Sequence, residues 1–370
     1  MTPQEGNAED VSCLARLFQH IADVRLSEQL GSRWAPVIIV LSRGWCDDTD
    51  RGDCNEIAYS FLSLAFDHRG NYLGQLASTG ATGAVFVSVN GNDSNPCTAL
   101  SPCRTFQAAH NAVQAGGEID VLDTGGYGPL SITKSISIVN PGGVVASIAT
   151  SGSVPAIQVN AGSGDSISLR GLTLDGGGLA SSGIDFTGGG NLEIADCVVR
   201  KYSLEGLYIH NSGASTLKVT NSEFNDNGNW GIVVQPNNGP VLGTLDHVGF
   251  YNNNQVGFLL ENNLPPGGLA LNFTVKDSVA SNNLVGFQSV TNVDNTASRL
   301  MLVRSVVSNN SQGIISFGTG SQVIVDESTI FNNAHAWQAD GGGFIFSHGN
   351  NSVEGNAADF GPVTPAAALE

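Results

Sequence analysis

Charged residues are scarce in this chain, and basic residues are the scarcer kind. Asp, Glu, Lys and Arg make up 13% of the 370 residues, and 33 acids against 15 bases give a formal net charge of −18. No basic stripe is present to neutralise phosphates, which argues against nucleic acid as a partner. The same balance argues against anionic membrane surfaces.

Long apolar segments are also missing. The longest apolar run, residues 37–41, is too short to span a bilayer, so we expect no membrane insertion. Residues 1–5 lack a charged segment leading into an apolar stretch, so we expect no signal peptide within this chain.

The six cysteines contain no Cys-x-x-Cys motif. Cys97 and Cys103 enclose a short loop with a proline, and Cys46 and Cys54 enclose another short loop. This spacing predicts a Cys97–Cys103 disulfide and an oxidising compartment, with free thiols or a loose metal site as the alternative. The pairing of Cys46 with Cys54 stays open, and Cys197 is expected to lie in the core within a strand.

A repeat dominates the second half of the chain. A glycine followed by an apolar residue returns at intervals of 23 to 29 residues, at Gly183, Gly206, Gly231, Gly257, Gly286 and Gly313. Each unit also holds short strands with alternating apolar residues, which cannot bury a core alone but fill a continuous interior when stacked. The pattern predicts an all-β right-handed parallel β-helix of about ten coils over residues 118–346. Its inward residues should include Leu192, Ile194, Leu217, Val219, Leu300 and Leu302.

An asparagine precedes the repeated glycine, or its equivalent Ala336, by three or four residues. The members of this column are Asn227, Asn253, Asn283, Asn310 and Asn333. Stacked asparagines can hydrogen-bond to one another and to the turn backbone, and asparagine tolerates the left-handed conformation. A structural ladder is therefore predicted, with a row for binding sugar as the alternative.

The start of the solenoid carries further motifs. An amphipathic helix is predicted over residues 104–113, with Phe106, Ala109, Ala112 and Val113 on one side, as a cap for the solenoid end. Three segments frame it, namely Phe-Val-Ser-x-x-Gly-Asn-Asp at 86–93, Pro-Cys-Arg-Thr-Phe-Gln-Ala-Ala at 102–109 and Gly-Gly-Glu-Ile-x-Val-Leu-Asp at 116–123.

This combination resembles bacterial secreted proteins of the pectate-lyase-like superfamily, and more narrowly its right-handed β-helix repeat proteins of undefined activity. The resemblance covers roughly residues 84–345 and implies the fold and export to the periplasm, cell surface or medium. It implies little about activity, because one fold hosts many functions.

The predicted organisation has three parts. Residues 1–80 form an extension or small capping region that is partly helical, residues 81–360 form the β-helix, and residues 361–370 form a tail. The loop after Cys46 contains four acidic residues, Asp47, Asp48, Asp50 and Asp53. These carboxylates could bind Ca²⁺, although their spacing does not follow an EF-hand pattern. The alternative is a solvated acidic loop without a metal. No other cofactor is expected.

The outer face of the solenoid offers the candidate site. Positions two and four residues after the repeated glycine should face outward, which brings together Asp185, Tyr208, His210, Gln235 and Glu261. Arg200 and Lys201, followed by Tyr202, could border this patch. An aromatic ring beside carboxylates and a histidine suits sugar recognition, whereas ordinary solvated strand residues are the alternative.

A second outward column precedes a turn and mixes both charge signs. It contains Asp196, Asn221, His247, Asp277, Arg304 and Glu327, and is predicted to be a solvated ladder that keeps the coils in register.

Two classes of function follow. The first is an exported, non-catalytic protein that binds polysaccharide, cell wall or a surface partner along the solenoid face. The second is a polysaccharide lyase or glycoside hydrolase acting on an acidic glycan. The expected hydrolase signature of Asn-x-Asp, Asp-Asp, Gly-His-Gly and Arg-x-Lys along successive coils is absent, and basic residues for a lyase are few, which favours the first class. The sequence leaves catalytic residues and the oligomeric state undetermined.

Overall fold

The computed structural model describes residues 83–268, 270–292 and 296–358, together with the backbone of four short strands outside these ranges. The chain divides into two compact units, Met1–Ala81 and Thr82–Glu370. In the first unit the strands Ile38–Ile39, Ser63–Phe66 and Tyr72–Gln75 form a small antiparallel sheet. The predictions for the helix and the acidic loop of residues 1–80, for Cys46 and Cys54 and for most of the tail lie outside the described residues.

The second unit is a parallel β-solenoid. One sheet of nine parallel strands comprises Leu130–Ile132, Ile157–Val159, Ile184–Phe186, Glu205–Ile209, Trp230–Val234, Val256–Asn262, Val285–Thr291, Gln312–Phe317 and His335–Asp340. We call it the nine-stranded sheet. Eight full turns separate its first and last strands, so the prediction of about ten coils is slightly too high, while the predicted fold is confirmed.

The other walls of the solenoid belong to one sheet of twenty strands. Its strands are Ala84–Val87, Gly117–Val121, Gly125–Gly126, Ile136–Val139, Ala146–Ala149, Ser166–Arg170, Leu172–Asp175, Gly190–Ala195, Val198–Arg200, Ser215–Asn225, Val241–Tyr251, Leu271–Lys276, Val279–Ser281, Ser298–Val303, Val306–Ser308, Ser321–Asp326, Thr329–Phe331, Phe344–Ser347, Ser352–Glu354 and Thr364–Pro365. The register places like residues over like, as in Leu192 beside Leu217 and Leu300 beside Val323. The six predicted inward residues are at most 2% exposed and form part of one continuous core.

The capping helix runs from Phe106 to Ala112 and is shorter than predicted. The Thr105 hydroxyl accepts a hydrogen bond from the Ala108 amide, as an N-cap should. Phe106 is fully buried and its ring lies 5.1 Å from the ring of Tyr127. Ala112 is exposed, contrary to the prediction, because the chain leaves the helix there and turns Val113 inward instead.

A disulfide closes the loop in front of this helix. Cys97 and Cys103 are bonded, with 4.6 Å between their Cα atoms, and both are 1% exposed. The Phe86 amide donates to the Cys97 carbonyl, and the Cys103 amide donates to the Phe86 carbonyl. The loop therefore lies against the strand Ala84–Val87 and covers the start of the core.

The asparagine column forms the predicted structural ladder. From Asn227 to Asn333 each side-chain amide donates to the Oδ1 of the next member over 3.0 to 3.2 Å, and Asn356 extends the series. The ladder members do not hold the left-handed turn, contrary to expectation. The residue before each one does, with φ between 54° and 60° at Asp226, Asn252, Asn282, Asn309 and Asn332.

The mixed-charge column also lies at left-handed turns. Asp196, Asn221, His247, Asp277, Arg304 and Glu327 have φ between 46° and 55°. The guanidinium of Arg304 donates two hydrogen bonds to Asp277, of 2.9 and 2.8 Å, which supports the prediction that this column links neighbouring coils.

Candidate functional site

The predicted patch lies on the outer surface of the nine-stranded sheet. Asp185 pairs in register with Tyr208, and Tyr208 with Val233, while their strand neighbours Ile184 and Leu207 are fully buried. Alternation along the strands therefore places Asp185 and Tyr208 outside, as the sequence predicted.

One half of the patch is a carboxylate–imidazole pair beside an aromatic ring. Nε2 of His210 lies 2.6 Å from Oδ1 of Asp185 on the preceding coil. The imidazole also stacks on the Tyr208 ring, with 4.2 Å between ring centroids and 12° between the planes. Since His210 covers one face of the Tyr208 ring, that face is closed to a sugar, and any stacking of a sugar on Tyr208 falls to the rest of the ring.

The other half of the patch is a relay of hydrogen bonds across successive coils. The Tyr208 hydroxyl donates to Oε1 of Gln235 over 2.9 Å, and Nε2 of Gln235 donates to Oε2 of Glu261 over 3.1 Å. Nδ2 of Asn292 donates to the other oxygen of Glu261 over 3.3 Å. These side chains are half-buried, so each keeps part of its polar surface open to solvent.

Glu205 belongs to the same neighbourhood and was not predicted. Its side chain is 6% exposed, and its Oε2 accepts a 2.8 Å hydrogen bond from the Ser182 hydroxyl. Burial raises the pKa of Glu205, the Ser182 hydrogen bond opposes that shift, and the Asp185 carboxylate adds to it. The sequence did contain a signal: Glu205 comes directly before a repeated glycine, where the other coils carry neutral residues or a histidine.

Apolar side chains occupy the middle of the same outer surface. Val233 and Leu259 are 1% and 6% exposed, and with Val256 and Val285 they form a second apolar cluster outside the main core. Tyr208 packs against this cluster. The column two residues after the repeated glycine is thus apolar at Val233 and Leu259, and Tyr208 joins the polar patch to the apolar cluster.

The predicted border of the patch looks different in the structure. Nε of Arg200 forms a 2.9 Å ion pair with Asp175 within the twenty-stranded sheet, and Lys201 is exposed at the turn that follows. Tyr202 is 1% exposed and belongs to the core, so it cannot serve as a surface aromatic. Arg200 therefore pairs with a carboxylate of the twenty-stranded sheet and not with a member of the patch.

A group suited to a metal lies on the twenty-stranded sheet. The ligand atoms of Asp246, His247 and Asp277 are within 4.8 Å of one another. Both carboxylates already have basic partners, since Lys276 lies 2.7 Å from Asp246 and Arg304 binds Asp277. Lys276 lowers the pKa of Asp246, and Arg304 lowers that of Asp277. These cations compete with any metal for the group.

Comparison with known proteins agrees with the architecture. The family model described as right handed beta helix region matches residues 155–358. No curated protein sequence matches the chain. In the described part of the chain, every helix is too short or too polar to cross a membrane.

Solved structures with a similar fold include a rhamnogalacturonan lyase, at 15% identity and a TM-score of 0.53, covering 71% of this chain and 75% of the lyase. The pectate lyase Pel9A gives 18% identity and a TM-score of 0.47, with coverage of 76% and 81%. The A-module of the mannuronan C-5 epimerase AlgE4 from Azotobacter vinelandii gives 14% and 0.40, with coverage of 69% and 91%. At such identities the likeness concerns the fold alone, and it agrees with the resemblance drawn from the sequence.

Proposed function

The chain belongs to the right-handed β-helix family, and from that premise we propose that it is an exported, non-catalytic protein that binds a polysaccharide or surface glycan along its nine-stranded sheet. The observation that carries this proposal is the polar relay from Asp185 and His210 through Tyr208 and Gln235 to Glu261. It places hydrogen-bonding groups in line on four successive coils.

The length of the relay suits an extended ligand. Asp185 and Glu261 lie three strand spacings apart, or about 14 Å along the solenoid axis, and are offset by two residues along the strand direction. The axial distance is the length of roughly three sugar units. A glycan offers hydroxyl groups at a similar repeat, so each coil can meet a further part of the chain. The Cys97–Cys103 disulfide supports the proposal of export, because such bonds persist in oxidising compartments.

Calorimetry with oligosaccharides of acidic, neutral and amino sugars tests the proposal. Gln235→Ala removes the middle of the relay and should weaken binding by about tenfold, in line with the loss of two or three hydrogen bonds. Gln322→Ala makes the same change on the twenty-stranded sheet and should leave the affinity unchanged. Equal affinities of the two variants would place the ligand elsewhere.

A specific observation favours a second candidate, a lyase or hydrolase. The 2.6 Å contact of Asp185 with His210 is the arrangement of a general base and its orienting carboxylate, and the buried Glu205 is nearby. Incubation with the same oligosaccharides, followed by measurement of reducing ends and unsaturated products, tests it. Turnover that is lost in His210→Gln would replace the binding proposal with an enzymatic one.

A further inference from the structure

Basic side chains are distributed unevenly around the solenoid. The nine strands of the nine-stranded sheet contain no Lys or Arg, whereas they contain Asp185, Glu205, Glu261 and Asp340. The Lys and Arg residues of the described chain lie in the cap, in turns or in the twenty-stranded sheet. The strands of the candidate face therefore carry acidic residues and no Lys or Arg.

The twenty-stranded sheet and its turns differ, because basic residues are present there. Five carboxylates of this sheet and its turns have basic partners within 2.7 to 3.0 Å, in the pairs Asp175–Arg200, Asp196–Arg170, Glu193–Lys218, Asp246–Lys276 and Asp277–Arg304. In the described chain, the nine-stranded sheet is thus the sheet in which no carboxylate has a Lys or Arg partner.

Glu261 is the clearest example of a carboxylate on this sheet without a Lys or Arg partner. Both of its oxygens accept hydrogen bonds from neutral amides, those of Gln235 and Asn292, which orient the carboxylate without cancelling its charge. Its side chain is half-buried, so a ligand can still reach it. At the other end of the relay, the partner of Asp185 within ion-pair distance in the described chain is the imidazole of His210, at 2.6 Å.

This charge pattern disfavours uronate polymers. A carboxylate on each sugar would approach Asp185 and Glu261 without a Lys or Arg to receive it, and like charges within a Debye length repel. A bridging metal does not remove the difficulty in the described chain. Its one group of three convergent ligands, Asp246, His247 and Asp277, belongs to the twenty-stranded sheet.

We propose that the nine-stranded sheet selects amino-sugar polymers, whose ammonium groups pair with Glu261 and Asp185. This inference rests on the proposed function and specifies its ligand. Sugars three units apart in the bound chain would place two ammonium groups over the two carboxylates, because the strand spacing of about 4.8 Å is close to the length of one sugar unit. Glu261, which hydrogen-bonds only to neutral amides, is the main determinant of specificity.

The test compares three hexamers, of glucosamine, N-acetylglucosamine and galacturonate, by calorimetry at about pH 6, where primary ammonium groups are charged. The glucosamine hexamer should bind at least about fivefold more tightly than the N-acetylated hexamer at low salt, and the difference should shrink at high salt. The galacturonate hexamer should bind most weakly. Galacturonate binding as tight as that of glucosamine would overturn the inference.

Glu261→Gln separates charge from shape, because it keeps an oxygen for the Gln235 amide. It should lower the affinity for the glucosamine hexamer about fivefold and leave that for the N-acetylated hexamer within about twofold. Glu223→Gln, the same change at an exposed residue of the twenty-stranded sheet, is the matched control and should alter neither. Equal weakening of both hexamers by Glu261→Gln would overturn the charge selection but keep the proposed function. If no hexamer binds, the amino-sugar inference is wrong, and the wider panel of oligosaccharides described above decides the proposed function.

Discussion

Cys197 takes the place in its coil that Ser222 takes in the next, and the Cys197 amide donates to the Ser222 hydroxyl over 3.1 Å. That hydroxyl in turn donates to the Thr220 carbonyl over 2.7 Å. Similar serines continue the column at Ser278, Ser305 and Ser328. Burial raises the pKa of the Cys197 thiol to about 11, which keeps it protonated at neutral pH.

Cys197→Ser should therefore fold normally and change the free energy of unfolding by no more than about 0.5 kcal/mol, because serine already fills this place in other coils. Ser222→Val should destabilise the protein by about 1 to 3 kcal/mol, since it leaves the buried Cys197 amide without an acceptor. Denaturant unfolding measures both. A large loss of stability in Cys197→Ser would show that the column tolerates only the native residue there.

The asparagine ladder makes a second prediction. Oδ1 of Asn283 accepts from both the backbone and the side-chain amide of Asn253, and its own amide donates to the Phe250 carbonyl over 3.0 Å. Asn283→Ala should lower stability by about 3 kcal/mol, because buried donors and an acceptor lose their partners. Asn272→Ala, at an exposed residue, is the control. Equal midpoints of denaturation for Asn283→Ala and Asn272→Ala would mean that water takes over the hydrogen bonds that Asn283 makes.

Asp120 predicts a pH dependence. Burial and the nearby Glu118 raise its pKa from 3.8 to about 6 in the folded protein. The folded state then binds more protons than the unfolded state between these values, so this residue reduces stability as the pH rises through that window. Asp120→Asn should have the same free energy of unfolding as the wild type near pH 3.8. Above pH 6 the variant should be more stable than the wild type by about 1 kcal/mol, allowing for solvent screening. Glu118→Gln should give part of that gain. Parallel curves of stability against pH for Asp120→Asn and the wild type would contradict the shift.

Glu327 predicts a stabilising substitution. Its φ of 46° is left-handed, a conformation that costs most residues about 1 kcal/mol and that asparagine adopts more readily. Glu327→Asn should raise the free energy of unfolding by about 0.5 to 1 kcal/mol. Glu354→Asn changes an exposed glutamate within a strand and should not raise it. The comparison of their thermal midpoints decides whether backbone strain is the cause.

Most of the fold followed from the sequence because each coil repeats the same local pattern, a glycine followed by alternating inward and outward residues. Gly206 lies near the start of the strand Glu205–Ile209. A side chain at this position would collide with the next coil, because its Cβ would lie 2.6 Å from the Gly231 carbonyl oxygen. Once such glycines align the coils, alternation alone places Leu207 inside and Tyr208 outside.

The rest of the site depends on contacts between coils, which one sequence does not specify. Glu205 was missed because alternation counted back from Leu207 assigns it to the inner face, whereas in the structure it bonds to Ser182 close to Asp185 and His210. The stacking of His210 on Tyr208 and the burial of Val233 on an outer surface depend on side-chain packing across coils. Tyr202 was expected to border the patch with Arg200 and Lys201, whereas its ring fills the core.

The asparagine ladder also bears on how the solenoid would respond to force. From Asn227 onward every coil is linked to the next by side-chain amides, but the coil before it carries Tyr202 at that place and contributes only a backbone amide, 3.2 Å from Oδ1 of Asn227. Under tension along the solenoid axis, we expect neighbouring coils to separate first at this junction. The coils from Asn227 onward would then come away together.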